Sequence, residues 1–65
     1  MYYTFGKLTI HFSMLQGDHY AASWEGGSAA HSNWSIFIES IHQQTGIDKE
    51  ELNKAAAKCY GLKDA

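Results

Sequence analysis

Four histidines and one cysteine are the residues of this 65-residue chain that could do chemistry as metal ligands. They are His11, His19, His31, His42 and Cys59. Structural zinc sites use closely spaced ligand pairs such as Cys-x-x-Cys or His-x-x-x-His, and none of these residues is spaced in that way. We therefore expect solvated surface histidines, and we predict no metal site and no cofactor.

Cys59 could also act as a nucleophile with His42 as its base. The apolar spacing around Cys59, however, predicts that it lies on the buried face of a helix, where a thiol behaves as a small inert side chain. The chain has no Gly-x-Ser-x-Gly motif, and a domain of this length has little room for a closed substrate pocket. These features predict that the protein is not an enzyme.

Two adjacent pairs resemble functional motifs only superficially. Glu50 and Glu51 fall in the first turn of an expected helix, where acids stabilise the positive end of the helix dipole. Gly26 and Gly27 lack the further glycines and the lysine of a phosphate-binding loop. Neither pair predicts catalysis or nucleotide binding.

The charge of the chain disfavours a nucleic-acid partner. The net charge is −2, from seven carboxylates and five lysines without any arginine. Arginine is the usual residue for bidentate contacts to phosphate and guanine, and binding to a polyanion needs a basic stripe. A small nucleic-acid-associated regulator stays open as an alternative, because exposed tyrosines could stack on bases.

The sequence also gives indications of the cellular compartment. It has no apolar run of the roughly 18 residues that a membrane span needs, and no signal-peptide pattern. The single cysteine excludes a disulfide within the chain and fits a reducing compartment. We therefore expect a cytoplasmic protein that does not enter a membrane.

Period-two alternation of apolar and polar residues predicts a β-hairpin over residues 2–25. Gly6 marks a bulge or a close backbone approach in its first strand, and the tip lies around residues 16–18. One register keeps every large apolar side chain on one face and leaves the other face polar and solvated. In that register Met14 faces Tyr20, Phe12 faces Ala22, and Ile10 faces Trp24.

Residues 26–32 form a loop by composition, although residues 29–31 could add a short third strand. Two interpretations of this segment stay open. It is a connector in which Trp24 and Trp34 turn inward at its two ends, or it is a mobile loop that orders on a partner through His31 or Ser32.

Apolar spacing then predicts two helices, over residues 33–45 and 48–60. Ser32 or Asn33 caps the first helix and Gly46 ends it. Asp48 caps the second, with Glu51 as its capping-box partner, and Gly61 ends it. Ile47 and Leu52 occupy the positions of a hydrophobic staple. The expected fold is a single α+β domain over residues 1–65, a β-hairpin of two or three strands packed against two C-terminal α-helices.

The first helix carries Trp34, Phe37, Ile38 and Ile41 on one face, which is more apolar surface than a two-stranded hairpin covers. This surplus predicts a non-catalytic protein-binding domain with a protein partner, a homodimer interface, or both. The size suggests a small inhibitor of a larger host complex, of the kind that phages and mobile elements carry. A metal- or ligand-binding module is a further alternative. The predicted partner-binding residues are Trp24, His31, Trp34, Phe37 and Tyr60.

Overall fold

The computed structural model describes residues 1–15 and 19–61, and in it the predicted first strand is two strands, β1 (Tyr2–Phe5) and β2 (Leu8–Leu15). Gly6 and Lys7 form a two-residue turn between them. Gly6 has a φ of 62°, a left-handed value that glycine adopts without strain. The interpretation of Gly6 as a bulge or a close backbone approach is therefore wrong, since this glycine reverses the chain.

The third strand, β3 (His19–Trp24), pairs antiparallel with β2 in the predicted register. Phe12 lies opposite Ala22 and Met14 opposite Tyr20. The register is fixed because a slip of one residue would move the large apolar side chains to the other face. The predicted hairpin tip at residues 16–18 lies outside the described residues.

Most of the predicted loop is a fourth strand, β4 (Gly27–His31). Glu25 and Gly26 form a two-residue turn, in which Gly26 has a φ of 102°. β4 then pairs antiparallel with β3, with Ala29 opposite Ala22. Glycine, serine and alanine have weak strand propensity, so pairing with β3 determines this strand and composition does not. Residues 27–31 are therefore a paired strand and not a loop, whereas the inward turn of Trp24 and Trp34 expected for a connector is present.

The sheet has the order β1-β2-β3-β4, and two helices follow it, α1 (Trp34–Thr45) and α2 (Lys49–Tyr60). This arrangement confirms the α+β class, with four strands where two or three were expected. Asn33 caps α1 by accepting from the Ile36 N–H at 3.1 Å, and Asp48 caps α2. The predicted helix starts at 33 and 48 are these cap residues. Gly46 and Gly61 end the helices in left-handed conformations, as predicted.

Both helices cover the same face of the sheet. α1 packs on β3 and β4, and α2 packs on β1 and β2. Burial of a large apolar side chain stabilises a fold by about 1.5–3 kcal/mol, so this small core is the main stabilising feature. Within the described ranges, neither helix has the length and apolar character needed to cross a membrane. The largest fully buried side chains are Ile10, Phe12, Phe37, Ile41 and Leu52.

Candidate functional site

The predicted partner-binding residues form part of the core and its margin. Phe37 is 0% exposed and packs edge-to-face against Phe12, with ring centroids 6.5 Å apart. It is therefore a core residue of the folded protein and offers no surface to a partner. The other four predicted residues are half-buried: Trp24, His31, Trp34 and Tyr60.

Tyr60 ties the end of α2 to the middle of the sheet. Its hydroxyl oxygen lies 2.8 Å from the Ser13 carbonyl oxygen and 2.9 Å from the Ala21 carbonyl oxygen, so its one proton is shared between two acceptors. Ser13 and Ala21 are register partners whose side chains point away from the helices, which leaves their backbone accessible on the helix side. The hydroxyl is therefore engaged in the fold.

Burial raises the pKa of the Tyr60 hydroxyl above its ordinary value, and burial likewise raises the pKa of the Cys59 thiol. Both groups keep their protons in the folded protein at pH values where the unfolded chain has lost them. The stability that these protons contribute is therefore fully present below the ordinary cysteine and tyrosine pKa values, roughly 8.5 and 10, and it is lost as the pH rises from them through the raised pKa values of the folded protein.

We expect the free energy of unfolding to fall as the pH is raised from about 8 to about 11, and Tyr60→Phe to remove the part of that fall that begins near pH 10. At neutral pH, Tyr60→Phe should cost about 1 kcal/mol, because it removes one shared hydrogen bond. Urea denaturation of both proteins across this range measures the effect. Equal pH slopes in the two proteins would contradict the role of the Tyr60 proton.

The two tryptophans also turn inward. Trp34 Nε1 donates to Asn53 Oδ1 at 2.6 Å, which links α1 to α2, and its ring lies edge-on to Tyr20 at 4.9 Å. Trp24 lies beside Gly27, where an added Cβ would stand 3.1 Å from the indole ring. Both side chains pack against the core.

The four-stranded sheet covers the apolar face of α1 from which a binding partner was predicted. Phe37, Ile38 and Ile41 are buried against the sheet. The apolar surplus expected from a two-stranded hairpin therefore does not arise on this stripe. Ile36 is the apolar residue of α1 that remains well exposed, at 52%.

The histidines lie apart. His11 and His19 lie on the face of the sheet away from the helices, and His31 pairs with Tyr20 on the helix side. His42 Nδ1 lies 2.6 Å from the Ile47 carbonyl oxygen, to which it donates at the end of α1. Among residues 1–15 and 19–61, no three His, Cys, Asp or Glu side chains come together as metal ligands.

The face of the sheet opposite the helices, here called the open face, is covered by no described element. Alternation along the paired strands defines its members. The members whose side chains the structure describes are Tyr2 and Thr4 of β1, Thr9, His11 and Ser13 of β2, His19, Ala21 and Ser23 of β3, and Ser28 and Ala30 of β4.

The open face carries an aromatic pair at one side and a row of short side chains beside it. The Tyr2 ring stacks on the His11 ring, with centroids 4.5 Å apart and an angle of 24° between their planes. Beyond this stack, the register aligns Ser13, Ala21 and Ala30 in one row across three strands. Alanine and serine side chains are short, so another backbone could approach the sheet closely there.

None of these ten open-face residues is a lysine, an aspartate or a glutamate. Lys7 and Glu25, which alternation alone places on the polar face, lie in the two turns. The remaining charged residues of the described chain lie in the helices or at the Asp48 cap. The solvated face of an antiparallel sheet is usually polar, and the described part of this one is polar without lysine, aspartate or glutamate.

A second surface is a shallow groove of about 410 Å³ between the exposed sides of α1 and α2. Charged side chains lie in it, and Lys49 Nζ and Glu39 Oε2 form an ion pair at 2.9 Å. The predicted contact residue Trp34 forms part of the wall of this groove. Its lining residues are Trp34, Ser35, Ile38, Glu39, Lys49, Glu50 and Asn53.

A scan against protein-family models and searches of curated proteins and of solved structures found no match to this chain. The surfaces described above are therefore the basis for any functional conclusion.

Proposed function

We propose that the protein is a non-catalytic protein-binding domain and that its open face is the contact surface. The observation that carries this proposal is that this face combines a row of short side chains with the absence of lysine, aspartate and glutamate among its described residues. Charged side chains are depleted at the centres of protein interfaces, because burying them costs more free energy than burying neutral groups. The serines and threonines keep the face soluble and can hydrogen-bond to a partner.

The aromatic pair at one side supplies an anchor. Tyr2 is 70% exposed, yet its ring is held against His11, so little side-chain freedom remains to be lost on binding. Tyrosine is among the residues that contribute most to interfaces. A partner segment lying across the row of Ser13, Ala21 and Ala30 would contact this ring at its edge.

Binding to nucleic acid has less support, because the tyrosine stack and the lysines are separated. Lys49, Lys54 and Lys58 belong to α2, which covers the other side of the sheet. A single-strand binding surface needs stacking side chains inside a basic groove. Lys7, in the turn after β1, is the described lysine that lies outside α2.

Two narrower statements complete the proposal. We propose that the bound protein belongs to a larger host complex that this domain inhibits, as small phage and mobile-element proteins do; the size of the domain supports this. We also propose the cytoplasm as its compartment, which the free thiol of Cys59 supports.

A matched pair of variants tests the open face. Ser23→Glu places a carboxylate at the centre of the open face, and Ser35→Glu places the same charge in the groove between the helices. An uncompensated charge buried in an interface costs about 2 kcal/mol or more. We therefore expect Ser23→Glu to lower the affinity for the partner about 30-fold and Ser35→Glu to leave that affinity unchanged.

The tagged proteins are used to capture partners from lysate of the native host, and the affinity of the purified partner is then measured for each variant. Two results together would support inhibition. One complex should be retained at high salt, and the activity of that complex should be lost when this domain is added. Loss of binding in Ser35→Glu alone would contradict the open face. Recovery of nucleic acid alone, released by high salt, would contradict protein binding.

A further inference from the structure

The outer edge of β1 is a second surface that the fold leaves open. Met1 and Phe12 exchange backbone hydrogen bonds of 2.8 and 2.7 Å, so Met1–Phe12, Tyr3–Ile10 and Phe5–Leu8 are the hydrogen-bonded pairs of β1 and β2. The residues between them, Tyr2 and Thr4, therefore direct their backbone N–H and C=O groups away from β2. Within residues 1–15 and 19–61, β2 is the only strand neighbour of β1.

At the opposite edge of the sheet, an outward backbone group is hydrogen-bonded by a helix side chain. The same alternation directs the Ser28 carbonyl of β4 outward, and Gln44 Nε2 of α1 donates to its oxygen at 3.1 Å. Proteins usually protect exposed edges with lysines, prolines, bulges or a covering element. Residues 1–5 contain no charged side chain and no proline, and the side chains of residues 2–4 are exposed.

We propose that β1 pairs antiparallel with β1 of a second copy, which joins the two four-stranded sheets into one continuous sheet. A two-fold axis beside Tyr3 sets Tyr2 of each copy opposite Thr4 of the other. This register satisfies all the outward backbone groups of both residues with four hydrogen bonds across the interface. An axis beside Tyr2 or Thr4 would satisfy only half of them.

The side chains near this edge are self-complementary. A groove of about 300 Å³ lies between β1 and α2, and it has the size to accept the Tyr3 ring of the second copy. Glu51 and Lys54 lie on the same groove. A two-fold interface brings this groove of both copies to the axis, so each copy contributes one carboxylate and one ammonium group that can pair across it. This reciprocal pairing favours a second copy over an unrelated strand.

The edge of β1 is separate from the centre of the open face, so this inference does not depend on the proposed function. Pairing at the edge leaves Ser23 and the row of Ser13, Ala21 and Ala30 uncovered. The Ser23→Glu variant should therefore still dimerise. Failure of either proposal can be recognised while the other stands.

Sedimentation equilibrium over a range from about 1 µM to 1 mM tests the dimer. The expected mass rises with concentration from the 7.3 kDa of one chain towards twice that value. Tyr3→Lys sets two ammonium groups opposite each other at the axis, where like charges destabilise pairing, and should weaken the dimer at least tenfold. Gln43→Lys adds the same charge on the exposed side of α1 and should not.

A disulfide gives a second test of the register, in a Cys59→Ala background that removes the native thiol. Residues opposite each other across the axis have Cα atoms about 4.5–5.5 Å apart, within the range of disulfides. Tyr3→Cys should form a linked dimer on mild oxidation faster than Gln43→Cys. A mass of one chain at all concentrations, a dimer unaffected by Tyr3→Lys, or equal crosslinking of the two cysteine variants would overturn the proposal.

Discussion

Phe37→Ala is expected to lower the free energy of unfolding by about 3–5 kcal/mol. Phe37 is fully buried, and its ring lies 5.6 Å from Tyr20, 6.0 Å from Trp34 and 6.2 Å from Tyr60. Truncation removes the ring from the point where α1 meets the sheet and α2. A domain of this length has a total stability of only about 3–10 kcal/mol, so this substitution should remove a large share of it.

Ile36→Ala is the matched control for this prediction. Ile36 precedes Phe37 on the same helix but is 52% exposed, so its truncation should change stability by less than about 1 kcal/mol. Urea denaturation followed by circular dichroism measures both variants. A Phe37→Ala protein as stable as the wild type would mean that the Phe37 ring is not in the core. Phe37 would then again be a candidate for contact with a partner.

Trp34→Ala is expected to destabilise the fold by about 2–4 kcal/mol, somewhat less than the same substitution of a fully buried tryptophan would. The indole packs edge-on against Tyr20 and Tyr60 and also donates to Asn53 across the two helices. Trp34→Phe keeps most of the packing and loses the hydrogen bond, so it should cost nearer 1 kcal/mol.

This prediction separates a core role of Trp34 from an interface role. If Trp34 belongs to the core, the loss of partner binding in Trp34→Ala should follow the unfolded fraction and recover when the temperature is lowered. Binding measured beside thermal unfolding makes the comparison. A variant that is as stable as the wild type but no longer binds would place the interface at the helices.

Local signals in the sequence predict the helices and the central hairpin well. The caps at Asn33 and Asp48 and the terminators at Gly46 and Gly61 act over one turn, so their neighbours in the chain are enough to identify them. The register of Phe12 opposite Ala22 follows because one face must collect the large side chains.

The outer strands are less predictable for a physical reason. β4 consists of Gly27, Ser28, Ala29, Ala30 and His31, which have no strand preference of their own. Their pairing with β3 depends on the left-handed turn at Gly26 and on the small side chain of Ala29 against Ala22. These are contacts between strands, and they do not appear as a pattern along the chain.

The predicted partner-binding residues also could not be assigned correctly from the sequence alone. Large aromatic side chains are favoured both in cores and at interfaces, so composition does not separate the two. Trp34, Phe37 and Tyr60 form one aromatic cluster inside the fold. Much of the open face is made of small residues, which a sequence pattern indicates only as an ordinary solvated surface. Its lack of charge becomes visible only once Lys7 and Glu25 are placed in turns.

Hydrogen exchange of the free and partner-bound protein tests the open face as the contact surface most directly. Exchange is read by NMR for individual residues of the strands and helices. We predict that binding slows exchange along β2, β3 and β4 around Ser13, Ala21 and Ala30, and leaves the exposed sides of α1 and α2 unchanged. Protection of the helices around Trp34 and Asn53, with the strands unaffected, would contradict the open face as the binding site.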